Sequence, residues 1–410
     1  MRTIFRNIGT LVGILPEGKA RLQGAEMSHV ETLQDAYLIV EDGRIVDFGT
    51  GHGTFAKMDE EVDARGGMLI PAFCDSHTHI VYAGSREGEF LDKIEGLSYE
   101  EIASRGGGIL NSADLLHSTS EKDLLEQASV RVREMMEKGT GAIEIKSGYG
   151  LRTEDELKML RVIRTISEKS PIPIVPTFLG AHAIGRGFTH GEYVDEVCNK
   201  MIPRVAQEGL ASFVDVFCDR GFFTVEDLER IMAAGKRFGM GAKIHADELE
   251  SIGAVEAAVK GGALSVDHLE VAGKREIDAL RGSDTMPTML PGSSFFLGIP
   301  FAPAREFIKA GLGIALASDY NPGSSPSGDM RFVMALSCIR MKLTPSEALN
   351  ACTINGAYAM GLSHEVGSIT RGKRANLILT RPSVKSLTMI PYAYNTPFID
   401  AVFLDGKRFS

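Results

Sequence analysis

Eight short apolar stretches, each running into polar residues and each separated from the next by a segment of helical spacing, restrict this 410-residue chain to few folds. From residue 68 onward they are MLIPAFCDSHTH, GAIEIKSGY, IPIVPTFLGAH, SFVDVFCD, GAKIHADE, ALSVDHLE, DTMPTMLP and GIALASDY. Strands that alternate with helices form a parallel sheet. Segments between them, such as EDELKMLRVIRTISEK and SIGAVEAAVKGG, carry apolar residues on one helical face and charges on the other. Eight such units over roughly 250 residues fit a (β/α)8 TIM barrel. A doubly wound sheet is the other arrangement of this pattern.

The two ends of the chain differ from its middle. Residues 1 to about 65 read as short strands, TLVGIL and then AYLIVEDGRIVDFG, with Asp42-Gly43 as a hairpin signal between apolar runs. From Gly367, GSITRGKRANLILT and AVFLDGKRFS repeat this character. The expected organisation is a small discontinuous β-sandwich domain from 1–66 and 365–410, beside a barrel over 67–364. MRTIFRNIGTLVGIL places arginines before an apolar run, yet Gly and Thr break that run, so it reads as a strand and not a signal peptide. No window approaches the ~20 consecutive apolar residues of a membrane helix. Between the first two barrel strands, residues 83–125 depart from regularity, and SRGGGILNSA reads as a loop over the active face. Gly106 to Gly108 lack the Gly-Lys-Ser/Thr that completes a phosphate loop.

A barrel carries its chemistry at the C-terminal ends of its strands. Here those ends are His77-Thr78-His79, Lys146-Ser147-Gly148-Tyr149, His182, His245-Ala246-Asp247-Glu248, Asp267-His268 and Ser318-Asp319. Residues two apart on a strand share a face, about 7 Å apart at Cα, so His77 and His79 enter the mouth together. With His245 and Asp319 they make three nitrogens and one carboxylate, a set suited to one Zn²⁺ or Fe ion with a position left for water. Such an ion generates a nucleophile at neutral pH, which points to hydrolysis.

Glu248, three residues past His245, is placed to move protons, or else forms a rim ion pair. His268 is a base or a hydrogen-bonding support, and Asp319 can both bind the ion and take a proton. His182 can polarise a substrate carbonyl or hydrogen-bond a ring. Tyr149 sits on a bend between Gly148 and Gly150, and Asn321 and Ser324 lie on the loop DYNPGSSP. Net charge is −10, which disfavours nucleic acid and anionic membranes as partners, so an anionic small molecule needs a local cation. Arg86 is the candidate carboxylate fork, with Glu87 or Glu89 as alternative partners. Five scattered cysteines, at 74, 198, 218, 338 and 352, make no CxxC pair and fit a reducing compartment, with cytoplasm as the expected location.

This constellation resembles the amidohydrolase superfamily: HxH after the first strand, His on the fifth and sixth, Asp on the eighth, and Gly367 to Ala375 late in the chain. Asn376 stands where the family often has Asp, and is expected to touch the small domain only. The resemblance implies a TIM barrel with a β-sandwich from both termini. SFVDVFCD has no lysine, so it implies one metal ion and not two. DSHTHIVYAGSREGEF, SRGGGI, IEIKSGYGL, FLGAHA, HADE and SDYNPGSSP further resemble the members that open a ring in histidine degradation. That implies hydrolysis of 4-imidazolone-5-propanoate to N-formimino-L-glutamate. The implied ligands are His77, His79, His245 and Asp319; the implied substrate or product contacts are Arg86, Tyr149, His182, Glu248, Asn321, Gly323 and Ser324. A homodimer is the expected assembly. A single-metal deaminase of a nucleobase-like ring, sharing HxxE on the fifth strand, and a non-catalytic barrel relative are the competing readings.

Overall fold

A computed structural model of the chain describes residues 1–51, 57–97, 101 and 107–410. One eight-stranded sheet is assembled from both ends: β1 (Arg2–Ile14), β2 (Glu31–Glu41), β3 (Arg44–Thr50), β4 (Glu60–Asp63) and β5 (Met68–Pro71), with β14 (Leu377–Thr380), β15 (Ile399–Leu404) and β16 (Lys407–Arg408). The expected hairpin joins β2 to β3, with Asp42 at φ 47° and Gly43 at φ 82°, the left-handed pair that a tight two-residue turn demands. The sheet order is β16-β15-β14-β5-β1-β2-β3. Phe5 of β1 and Phe403 of β15 have two strands between them in that order, yet their ring centroids are 4.8 Å apart. The sheet therefore doubles over and encloses its own core of Phe5, Ile8, Leu38, Leu377 and Phe403.

The second sheet is parallel and runs in chain order: β6 (Phe73–Asp75), β7 (Thr140–Lys146), β8 (Ile174–Ala181), β9 (Phe213–Cys218), β10 (Gly241–Ala246), β11 (Ser265–His268), β12 (Met286–Met289) and β13 (Ala315–Leu316). All eight expected strands are present, with helices such as Thr153–Lys169, Val225–Arg237 and Ala254–Gly261 between them. The first and eighth strands meet through backbone bonds: Asp319 N–H donates to His77 O at 3.0 Å and His79 N–H to Tyr320 O at 2.9 Å. This is a (β/α)8 TIM barrel with a β-rich domain from both termini. Among the described residues no helix is long and apolar enough to cross a membrane.

Two readings change. MLIPAFCDSHTH is divided: Met68–Pro71 pairs with β1 and β14, and only Phe73–Asp75 enters the barrel. The partner switches within one residue, since Ala72 N–H donates to Asn376 O and Phe73 N–H to Gly139 O, both at 2.9 Å. The segment expected as a loop over 83–125 is largely helical where described, with helices Glu87–Ile94, Ile109–Ser118 and Glu121–Glu137. Ser112, Ala113 and Leu116 bury one face of the second, and Ser120 caps the third by accepting from Asp123 N–H. Residues 104–106 of the SRGGG stretch lie outside the described residues; the Gly108 N–H donates to the Glu89 carboxylate.

Asn376 does not confine itself to the terminal domain. Its Nδ2 donates to Gly141 O of the barrel at 2.8 Å, while its Oδ1 accepts from Asp405 N–H at 2.8 Å. The amide thus ties one sheet to the other. Replacing it by Leu leaves a buried acceptor and a donor unpaired, each worth about 1–3 kcal/mol. Asn376→Leu is expected to lower the urea midpoint clearly at constant m value; an unchanged midpoint would show that the tie contributes nothing.

Candidate active site

His77 and His79 follow β6 directly and are buried. His77 Nδ1 meets Asp267 Oδ2 at 2.7 Å, and His245 Nδ1 meets Asp215 Oδ1 at 3.1 Å. A carboxylate only accepts, so each Nδ1 carries the proton and each Nε2 presents a bare lone pair. The ring nitrogens converge: His77 Nε2 is 3.1 Å from His79 Nε2, which is 3.4 Å from His245 Nε2. Asp319 Oδ1 stands 3.5 Å from the Nε2 of both His77 and His79. With its Nδ1 unpartnered, His79 can keep its proton there and turn a lone pair at Nε2 toward the same point as the other two. The three imidazoles, with ligand atoms within 4.8 Å of one another, fit a single metal ion. Burial, with the Lys146 charge beside it, holds His77 well below the ordinary histidine range, and burial does the same for His79. Metal ligands must be neutral imidazoles.

Beneath these rings lies a buried ionic hub. Lys146 Nζ donates to Glu144 Oε1 at 2.8 Å and Asp215 Oδ2 at 2.7 Å, and lies 3.5 Å from Asp267 Oδ2. Lys243 donates to the other Glu144 oxygen and to Ser76 O and Ala359 O. Burial alone would lower the Lys146 pKa, but Asp215, Glu144 and Asp267 raise it above the usual lysine value. Lys146 is therefore occupied as a cation and offers no ligand.

Glu248 and His268 stand together on another side of the mouth. Glu248 is mostly buried, which raises its pKa, and its Oε2 lies 3.7 Å from His268 Nδ1. Glu270 Oε2 lies 3.4 Å from the same nitrogen, and Ser294 Oγ donates to Glu270 Oε1. Burial opposes charge on His268, yet Glu248 and Glu270 outweigh it and hold the imidazolium form. Asp219 at the end of β9 accepts from the N–H groups of Glu248, Leu249 and Glu250, each at 2.9 Å, and so shapes the turn that carries Glu248.

The remaining candidates surround the same mouth. His182 stacks on His79 with centroids 5.2 Å apart, and Tyr149 lies 5.5 Å from His182 and 6.1 Å from His79. His182 Nδ1 is 3.0 Å from Gly148 O, an acceptor only, so Nδ1 carries the proton. Burial and the neighbouring His245 push its pKa down to about 3. Neutral His182 therefore offers an acceptor at Nε2, which suits a ring N–H and not a carbonyl. Arg86 pairs with Glu89 through Nε at 2.9 Å and Nη2 at 2.5 Å, but both side chains are largely buried, so this is not a surface bridge. Its Nη1 lies over Gly323, where a Cβ would approach it to 2.3 Å. Asn321 is engaged within its loop: Oδ1 accepts from Gly323 N–H and Ser324 N–H, and Nδ2 donates to Asp319 O. Ser324 Oγ donates to Asp319 Oδ2 at 3.3 Å.

Reading strand ends alone passes over Glu144, Asp215, Lys243 and Glu270. A signal for Glu144 and Lys243 exists: charged or polar residues at alternate positions inside apolar strands, Glu144 with Lys146 and Lys243 with His245, face one side of a sheet. The barrel interior is ordinarily filled by branched apolar side chains.

The model of the amidohydrolase family matches residues 68–409. The chain is 53% identical over 410 residues to the imidazolonepropionase of Flavobacterium johnsoniae, covering 99% of this chain and 100% of that one. It is 40% identical over 389 residues to the imidazolonepropionase of Thermoanaerobacter pseudethanolicus, covering 94% and 93%. Among solved structures, a guanine deaminase from C. acetobutylicum with bound guanine superposes with TM-score 0.73 at 15% identity, covering 100% of both chains. A zinc-bound adenosine deaminase from Xanthomonas campestris gives TM-score 0.73 at 16% identity, covering 99% of this chain and 92% of that one. At such identity the two deaminases share the fold alone. Full-length likeness, a family model spanning the barrel, and converging imidazoles at its mouth agree: the chain belongs to the amidohydrolase family.

Proposed function

We propose that this enzyme hydrolyses 4-imidazolone-5-propanoate to N-formimino-L-glutamate, using one Zn²⁺ or Fe ion held by His77, His79, His245 and Asp319. The observation that carries this reading is the full-length likeness to proteins named imidazolonepropionase. The geometry of the mouth supports it at each group. When bound, the ion lowers the pKa of a water toward about 7 and so makes hydroxide available at neutral pH.

Arg86, steadied by Glu89, binds the propanoate carboxylate beside Gly323. His182 accepts a ring N–H at Nε2, and Tyr149 packs along the ring. The water adds its oxygen to the ring carbonyl carbon while Asp319 takes its proton. His268, 3.4 Å from Glu270 and drawn toward the imidazolium form, stabilises the developing oxyanion while a protonated Glu248 stands beside it. Glu248 delivers a proton to the ring nitrogen as the C–N bond breaks, for which its raised pKa suits it.

Three outcomes are expected. Freshly prepared imidazolone propanoate should lose its ultraviolet band with the enzyme, stop doing so after treatment with chelator, and resume on adding back Zn²⁺ or Fe²⁺. Ammonia release would instead identify a deaminase, and no turnover with metal bound would defeat the assignment. Glu248→Gln should leave metal content near wild type and reduce kcat about 10²–10⁴-fold, the range for a lost general acid or base; unchanged turnover would remove Glu248 from the reaction. Arg86→Met should raise KM about 10–100-fold, corresponding to a charged hydrogen bond of about 1.5–3 kcal/mol, with metal content unchanged. An unaltered KM would place the propanoate elsewhere.

A further inference from the structure

The turn that carries Tyr149 rests on a side chain that takes no part in the steps above. Glu156, in the first turn of the helix Thr153–Lys169, is fully buried. Its carboxylate accepts from Gly148 N–H at 3.0 Å, Gly150 N–H at 2.7 Å and Leu151 N–H at 2.9 Å. Burial pushes its pKa up to about 6 against the opposing effect of these donors. No amide side chain can take its place unchanged: a glutamine oxygen has two lone-pair sites, and its NH₂ would face N–H donors.

The turn is pressed onto this carboxylate. A Cβ on Gly150 would lie 2.4 Å from Glu156 N, and a Cβ on Gly148, at φ 112°, would lie 2.9 Å from His182 Nδ1. Gly148 thus gives its N–H to Glu156 and its carbonyl to His182. Tyr149 is held between two amides bound to the same carboxylate. We propose that Glu156 is a positioning residue that fixes the 147–151 turn, and through it sets both the place of the Tyr149 ring and the acceptor face of His182 toward the substrate. The proposal rests on the ring-opening function, in which both groups contact the imidazolone.

The test compares wild type, Glu156→Gln and Gly150→Ala as metal-loaded enzymes. Gly150→Ala pushes the turn off the helix without altering the carboxylate, and it carries the test if Glu156→Gln does not fold. Hydrogen exchange at residues 148, 150 and 151 should accelerate at least tenfold in both variants, with metal content unchanged. KM for imidazolone propanoate should rise at least tenfold, while kcat changes severalfold less than KM. Glu156→Asp, which keeps the charge on a shorter arm, should recover part of the KM. Unchanged exchange overturns the clamp; faster exchange with an unchanged KM overturns its role in substrate positioning. Equal loss of metal and kcat at constant KM overturns it as well, since that is the result of general structural damage. If wild type does not turn over the substrate, the ring-opening reading fails on its own, and the exchange measurement alone then decides for or against the clamp.

Discussion

One ammonium group organises the active site. Lys146 is bound by Asp215 and Glu144 and stands within ion-pair range of Asp267, and two of those carboxylates each hold the Nδ1 of an imidazole facing the mouth. The hub as a whole sets two lysines against three carboxylates, all out of contact with water. Burying charge is costly, and removing a single partner from such a group costs about 3–5 kcal/mol, so the cluster stands or falls as a unit. Its unbalanced negative charge lies directly under the three converging imidazoles. The barrel thus supplies, below the site, part of the field that a cation at the site requires. His77 and His245 come from strands distant in the sequence, yet their orientation depends on the same lysine.

The bonds that close the barrel are also bonds of the site. Asp319 and His77 meet through backbone, as do His79 and Tyr320, and Lys146 N–H donates to Thr78 O at 2.9 Å. Ligand placement is therefore set by strand register and not by loops. Where strands end, the backbone departs from ordinary conformations: Asp247 has φ 58°, His268 86°, Leu269 71° and Asp319 52°. Non-glycine residues with positive φ persist only where the surroundings hold them, and these four stand at or just past the ends of β10, β11 and β13.

This explains how far the sequence could be read. His77, His79, His245, His268 and Asp319 were legible because strand ends and a period of two say which side chains share a mouth. The strand MLIPAFCDSHTH was legible as extended chain, but not its division at Ala72, since an apolar run carries no mark of which sheet it joins. The hub was hidden for a related reason: Lys146 meets Asp215 two strands away in the sheet, and no local pattern predicts such cross-barrel pairs. Asn376 was misread because its two amide ends serve two sheets. Glu89 was one of two acidic partners that the sequence offered Arg86, and the burial of that pair was not legible.

His182 and His268, outside the cluster of three converging imidazoles, are driven toward opposite charge states by their surroundings. Burial and the neighbouring His245 keep His182 neutral against the Gly148 carbonyl, which favours the charged form and fixes the proton on Nδ1. His268 faces Glu248 and Glu270, which keep it charged. Ring opening needs one group that accepts from the substrate and another that donates to a growing negative charge, and environments that push two like residues apart provide both. Glu270 favours charge on His268, while Gly148 O fixes the tautomer of His182. A carboxylate in place of the Gly148 carbonyl would make the two histidines alike and leave the mouth with two donors and no acceptor.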